Sequence, residues 1–178
     1  MSKNIFMNED YNSPDGMMTS IWGPPMWHTL HTISFNYPIK PTKEDKINYY
    51  NFFTTIKNIL PCRYCRDNLK KNLKVLPLNK KVFNSRDSLS RWVYGIHEVI
   101  NNMLDKKSNL TYEMVRDRYE HFRSRCLLDK EMDTNKESGC TKSLYGVKGK
   151  CVLNIVPKTK QTNSFIMDPK CKIKKTKT

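Results

Sequence analysis

The stretch that decides the fold is TKEDKINYYNFFTTIKNILPCRYCRDNLKKNL, residues 42–73. Thr42 followed three residues later by Asp45 is a capping-box-like opening, and Ile47, Tyr50, Phe53, Ile56 and Leu60 then recur at helical spacing up to Pro61. Cys62 and Cys65 follow at once. The residues after them are good helix formers, so a further helix is expected from the cysteine pair to about Leu73, with Pro61 at its edge.

Working outward gives more helices. Upstream, residues from about Pro25 to Tyr37 place Trp27, Leu30, Ser34 and Tyr37 on one face, after a Gly-Pro-Pro start, and Tyr37-Pro38 ends the helix. Downstream, a loop through Pro77 leads to Ser85, which opens a helix carrying the apolar stripe Leu89, Trp92, Val93, Ile96, Ile100 and Leu104. Thr111 opens another, with Val115, Tyr119, Phe122 and Cys126 on one side. The fold class is therefore all-α, a four-helix bundle with a short fifth helix, and neither a convincing strand nor an internal repeat interrupts it.

The 178 residues suffice for one domain with a core and a set of tails. Charge is unevenly shared: of the net +15, residues 142–178 hold ten lysines against Asp168, a net of +9, which leaves +6 for the rest. Residues 129–178 lack apolar periodicity and are expected to form a basic, mostly disordered tail, with a short hairpin in YGVKGKCVLNIV at 145–156. Residues 1–20 are expected to be a flexible N-terminal segment and residues 21–128 the helical domain. The N-terminus MSKNIFMNEDYNSPDG has no continuous apolar core and carries Glu9, Asp10 and Asp15, so it reads as neither a secretory nor a transit peptide. No apolar run approaches the roughly 20 residues that cross a bilayer. The expectation is a soluble protein made in the cytosol.

The cysteine pair carries the chemistry. Free backbone N–H groups at a helix N-terminus, together with Arg63 and Arg66, favour a thiolate there. Three readings compete. A zinc site needs a second pair or two histidines at matching spacing, and Cys126, Cys140, Cys151 and Cys171 form no such pair, so no metal is assigned. A thioredoxin-type motif needs a βαβ context that these helices do not supply. A purely structural disulfide this local closes too small a loop to stabilise much. A dithiol in an all-helical protein then needs an electron acceptor, which a flavin held in the bundle would be.

In this setting the chain resembles the Erv/ALR family of FAD-linked sulfhydryl oxidases, in particular members encoded by large cytoplasmic DNA viruses. The resemblance covers about residues 21–107 and rests on Trp22-Gly23-Pro24, Gly23 with Trp27 and His31, Tyr37-Pro38, Pro41-Thr42, Pro61-Cys62-x-x-Cys65, and Trp92 with His97, Asn101 and Lys106. It implies that Cys62 exchanges with an incoming dithiol and that Cys65 passes the electron pair to the isoalloxazine ring. Dioxygen would reoxidise the flavin and leave as hydrogen peroxide. Gly23, Trp27, His31, Trp92, His97, Asn101 and Lys106 would form the FAD site, the lysine near the phosphates. The requirements match: aromatic faces pack a flat ring, imidazoles hydrogen-bond it and a cation offsets phosphate. Each residue also has a plainer reading, the tryptophans and histidines as core and Lys106 as a solvated helix end. The resemblance further implies thiol-containing protein substrates, a homodimer through the first two helices, and a cytoplasmic, viral-factory or virion location.

The departures from that pattern also carry expectations. Glu98 stands where relatives often have asparagine, an awkward charge near a dinucleotide. Tyr94 and Thr111 stand where many cellular members have a cysteine pair fastening the fifth helix, which implies that packing holds it here. Cys140, Cys151 and Cys171 form no close shuttle pair, which leaves three readings: a relay by one of them, isolated thiols with no role, or thiols that pair late in an oxidising setting; Cys126 reads as a small buried hydrophobe. The rival function is a basic helical module binding nucleic acid or zinc, its lysine-rich tail meeting a polyanion without sequence readout.

Overall fold

The computed structural model describes residues 7–125, 139–162 and 166–172. Its helices are α1 (Asn8–Tyr11), α2 (Thr19–Phe35), α3 (Lys43–Ile59), α4 (Arg63–Val75), α5 (Arg86–Met103) and α6 (Tyr112–Glu120), with 3-10 turns at Lys80–Asn84 and Pro169–Cys171. The architecture is all-α, as expected: α2 to α5 make the bundle and α6 is the short extra helix.

The starts of α3, α5 and α6 follow from side chains that replace missing helical partners. Thr42 Oγ1 accepts the Asp45 amide at 3.1 Å while Asp45 Oδ2 accepts the Thr42 amide at 2.8 Å. Ser85 and Ser88 form the equivalent reciprocal pair at α5. Thr111 Oγ1 accepts the Met114 amide at 3.3 Å at α6. All three openings are those read from sequence.

Helix α2 differs from expectation. It begins at Thr19, six residues before Pro25, and contains both Pro24 and Pro25. Prolines at these positions withhold donors from the carbonyls of Ser20 and Ile21, so the loss falls on the first turn rather than on the middle of the helix. The Trp22 indole N–H donates to the Met17 carbonyl at 3.0 Å and ties that first turn to the chain before it.

The core is built from Leu30, Tyr37, Phe53, Ile56, Leu60, Val82, Phe83, Leu89, Trp92, Val93 and Ile96, with Trp22, Met26, Trp27, Cys65 and Leu69 packed against it. Burying one such large side chain contributes about 1.5–3 kcal/mol. Two residues of the expected α3 stripe leave it: Ile47 is 59% exposed and Tyr50 is 41% exposed. Steps of three residues drift about 60° each around a helix, so the run that is centred on Phe53 and Ile56 spirals out to solvent at its N-terminal end. The expected loop between α4 and α5 is only partly a loop. Val82 and Phe83 are buried in its 3-10 turn, and Tyr37 Oη donates to the Phe83 carbonyl at 2.9 Å.

Helix α6 is held by contacts of the kind expected in place of a disulfide. Tyr112 and Val115 are buried beside Phe35. Tyr94 Oη donates to the Leu110 carbonyl at 2.7 Å, and the Tyr112 and Ser90 hydroxyls are 2.8 Å apart. Arg123 closes the far end, bonding the Phe35 carbonyl and the Glu120 carboxylate at 2.7 Å each.

The hairpin expected at 145–156 does not form. The Val147 amide donates instead to the Lys170 carbonyl at 3.2 Å, and Gly146, at φ +67°, lies so near the Cys171 backbone that a Cβ would come within 2.6 Å of it. The β-type pairing among the described residues is the isolated antiparallel bridge Ser124–Ser143. Cys126 and the tail residues 129–138, 163–165 and 173–178 lie outside the described residues.

Candidate redox site

Cys62 is the N-cap of α4. Its sulfur accepts the Cys65 amide at 3.2 Å, the place a serine or aspartate oxygen takes at most helix starts. Its pKa lies below the usual thiol value, chiefly through hydrogen bonding with the Cys65 side chain, with backbone amides and Thr19 adding to it. Cys65, one turn inside, has its pKa raised, first by burial. The two thiols therefore differ in the sense that exchange chemistry needs: an outer sulfur that ionises readily and an inner one shielded against the core. Arg66 is turned back to the Leu60 carbonyl at 2.5 Å and so braces the Pro61 turn.

The second part of the site lies between α2 and α5. Trp27 stacks on His97 with ring centroids 3.8 Å apart and planes within 6°, and His31 Nε2 lies 3.1 Å from His97 Nδ1. Burial pushes His31 down to about 3 and His97 to about 4, so both rings are neutral at physiological pH and act as hydrogen-bonding groups. His31 Nδ1 and the Trp92 indole N–H are buried without a hydrogen-bond partner. Unpaired polar atoms of this kind are rare in a finished core, and Thr54 Oγ1 on α3 is a third among the described residues.

Of the residues singled out from sequence, the structure joins Trp27, His31 and His97 directly. Trp92 and Cys65 share the packed cluster that Trp27 borders. Gly23 lies one turn before Trp27 on α2, where an added Cβ would meet the Thr19 methyl at 3.7 Å. Asn101 follows His97 by one turn of α5 and donates its amide to Glu98 Oε1 at 2.9 Å. Glu98 is thus engaged with its own helix. Lys106 is exposed beyond the end of α5, anchored through its backbone amide to the Asn101 carbonyl at 2.9 Å.

Two residues beside the site escaped sequence reasoning, Tyr119 among the rings and Thr19 at the cysteine pair. Tyr119 stacks on His31 at 5.3 Å and on Phe35 at 5.2 Å, and its hydroxyl lies 3.2 Å from His28 Nδ1. Tyr119 was legible as part of an apolar stripe, yet nothing in the spacing says that the stripe of α6 covers the histidines of α2. Thr19 also escaped notice, since it precedes every recognisable motif. Of the tail cysteines, Cys140 is disulfide-bonded, whereas Cys151 is exposed and Cys171 half-buried, both as free thiols. Among the described residues no three His, Cys, Asp or Glu side chains gather as metal ligands, and no helix is long and apolar enough to cross a membrane.

Comparison with known proteins agrees with this arrangement. A model of the Erv1 / Alr family matches residues 24–120, more than half of the chain. The chain is 43% identical over 91 residues to a probable FAD-linked sulfhydryl oxidase of Acanthamoeba polyphaga mimivirus, across 51% of this chain and 63% of that protein. It is 32% identical over 84 residues to the FAD-linked sulfhydryl oxidase ERV1 of Arabidopsis thaliana, across 47% of this chain and 42% of that protein. The chain thus spans less than two thirds of the length of these relatives. The fold matches the FAD binding domain of Erv1 from Saccharomyces cerevisiae with a TM-score of 0.52 and 25% identity, over 58% of this chain and 94% of that one. The yeast Erv1 core matches with a TM-score of 0.52 at 23% identity, over 66% and 92% of the two chains. Helix placement, the paired cysteines and the matched residues together establish that this chain belongs to the Erv1/Alr family.

Proposed function

We propose that the chain is an FAD-dependent thiol oxidase that makes disulfide bonds in protein substrates, with Cys62 and Cys65 as its redox pair. The observation that carries this reading is the asymmetry of the pair: a helix-capping sulfur of lowered pKa beside a shielded one of raised pKa. In the disulfide form of the pair, a substrate thiolate attacks Cys62 Sγ. A mixed disulfide forms and Cys65 leaves with the electron pair. The second substrate thiolate attacks the substrate sulfur of that mixed disulfide, releasing Cys62 and a substrate disulfide; two thiols have lost two electrons and two protons.

The residues fit a flavin. Flat faces at Trp27 and Trp92, neutral imidazoles at His31 and His97, and the unpaired His31 Nδ1 and Trp92 Nε1 suit a planar ring with polar edges. Gly23, Asn101 and Lys106 complete the proposed set, the lysine for phosphate. Bound FAD would accept the electron pair from the dithiol and return it to dioxygen, giving hydrogen peroxide. The bond from the Asn101 amide to the Glu98 carboxylate supports reading that acid as a partner of Asn101.

The family match and the viral relatives support a protein of a large DNA virus acting in the cytoplasm, viral factory or virion. Exposed Ile47, Tyr50, Phe52 and Ile59 on α3 support a homodimer through α2 and α3. Residues 21–128 would be the oxidase domain, and the basic tail would make weak polyanion contacts. Substituting Cys65→Ser tests the assignment: dithiol oxidation is lost while bound FAD is kept, and a variant that still consumes oxygen with dithiol would refute the assigned pair.

A further inference from the structure

The chain before α2 is clamped onto the redox pair. The Met17 amide donates to the Pro61 carbonyl at 2.8 Å, and Gly16 approaches so closely that a Cβ would stand 2.5 Å from the Pro61 oxygen and 3.1 Å from Cys62 Cα. Only a residue without a side chain permits that backbone-to-backbone contact. The Met17 carbonyl accepts the Trp22 indole N–H at 3.0 Å, so the strap is fixed at α2 as well as at Pro61. Between those two anchors stands Thr19, whose Oγ1 lies 3.7 Å from Cys65 Sγ.

We propose that Thr19 is a hydrogen-bond donor to the Cys65 sulfur, delivered by the Gly16–Met17 strap, and that it stabilises Cys65 as the thiolate leaving group of disulfide exchange. The inference rests on the oxidase reading for its role, though not for its geometry. When a substrate thiolate forms its bond to Cys62 Sγ and the Cys62–Cys65 bond breaks, the electron pair and negative charge arrive on Cys65 Sγ. That sulfur packs with Leu69 and Leu73 against the core, where burial disfavours charge. A better-stabilised leaving thiolate leaves faster. The thiol that acts electrostatically on Cys65 is Cys62. On α4, Arg66 is engaged with the Leu60 carbonyl and Arg63 is exposed, with its guanidinium over the Tyr64 ring at 5.3 Å. On the strap, Asp15 accepts the Ser13 hydroxyl at 2.8 Å. The Thr19 hydroxyl is the donor that α2 brings to the half-buried sulfur, and it lowers the pKa of both cysteines.

The test is the pH profile of Cys65 alkylation in the reduced full-length protein carrying Cys62→Ser, read at the Cys65 peptide by mass spectrometry. Adding Thr19→Val should raise the Cys65 midpoint by about one pH unit and slow alkylation roughly tenfold below both midpoints, whereas Thr19→Ser should keep the parent profile. Gly16→Ala, which displaces the strap and leaves the hydroxyl intact, should shift the profile in the same direction as Thr19→Val. Superimposable profiles for Thr19→Val and its parent, or an equal shift for Thr19→Ser, would overturn the proposal, and an unshifted Gly16→Ala would remove the strap from it. Alkylation uses neither flavin nor oxygen, so it separates failure of this inference from failure of the oxidase reading, which would appear as absent dithiol oxidation in the unsubstituted chain.

Discussion

At Cys62 a sulfur does the work of a capping oxygen, and that substitution links helix formation to reactivity. The amide that stabilises the start of α4 also stabilises the thiolate, so Cys62 should be alkylated by iodoacetamide faster than Cys65 at neutral pH, as peptide mapping of the reduced protein would show. The histidines give a second prediction, on stability against acid. The folded pKa values of His31 and His97, about 3 and about 4, lie below the ordinary imidazole value of about 6.5, so the unfolded chain binds protons that the folded chain refuses as pH falls below it. Stability is fully present above that value and declines through the window down to the folded values. At pH 5 the loss reaches about 2 kcal/mol for each histidine. Urea unfolding at neutral pH and at pH 5 should show it, and His97→Gln should reduce the acid-induced loss. At this scale the sequence announced the cysteines and most of the ring-bearing residues, because spacing along one helix is visible in the chain. It did not announce Thr19 or the role of Tyr119, since each meets its partner only after distant elements pack.

At the scale of elements, the openings of α3, α5 and α6 were legible because Thr42, Ser85 and Thr111 each act on the amide three residues away. The start of α2 was not, because the two prolines resemble a beginning and here lie inside the helix. The hairpin expected in the tail failed for a similar reason: Gly146 serves a close approach to the Cys171 backbone rather than a turn. Helix α6 shows what replaces a covalent staple. Tyr94 stands where cellular relatives place a cysteine, and its hydroxyl reaches the residue before Thr111. Tyr94→Phe should therefore destabilise by about 1 kcal/mol. Tyr112→Ala, which removes a buried ring and its bond to Ser90, should cost about 3–5 kcal/mol. Denaturant melts of the two variants check the ranking, and equal effects would show that α6 is held elsewhere.

For the whole molecule, the bundle brings into one packed core two parts that sequence keeps far apart: a dithiol at the start of α4 and a seam of stacked, uncharged rings between α2 and α5. Family membership and the all-helical fold were readable from the ordered series of motifs around residues 22–106, whereas the burial of Trp92 Nε1 and His31 Nδ1 without partners required coordinates. The contribution proposed for the basic tail is electrostatic. If it meets a polyanion, binding of the full chain to heparin resin should weaken steeply as salt rises. The measurement that bears most directly on the central claim is the visible absorption spectrum of the purified protein, recorded anaerobically before and after excess dithiol and again after air is admitted. A flavin spectrum that bleaches with dithiol and returns with air is the predicted result. A protein reconstituted with FAD whose flavin stays oxidised in the presence of dithiol would contradict the account.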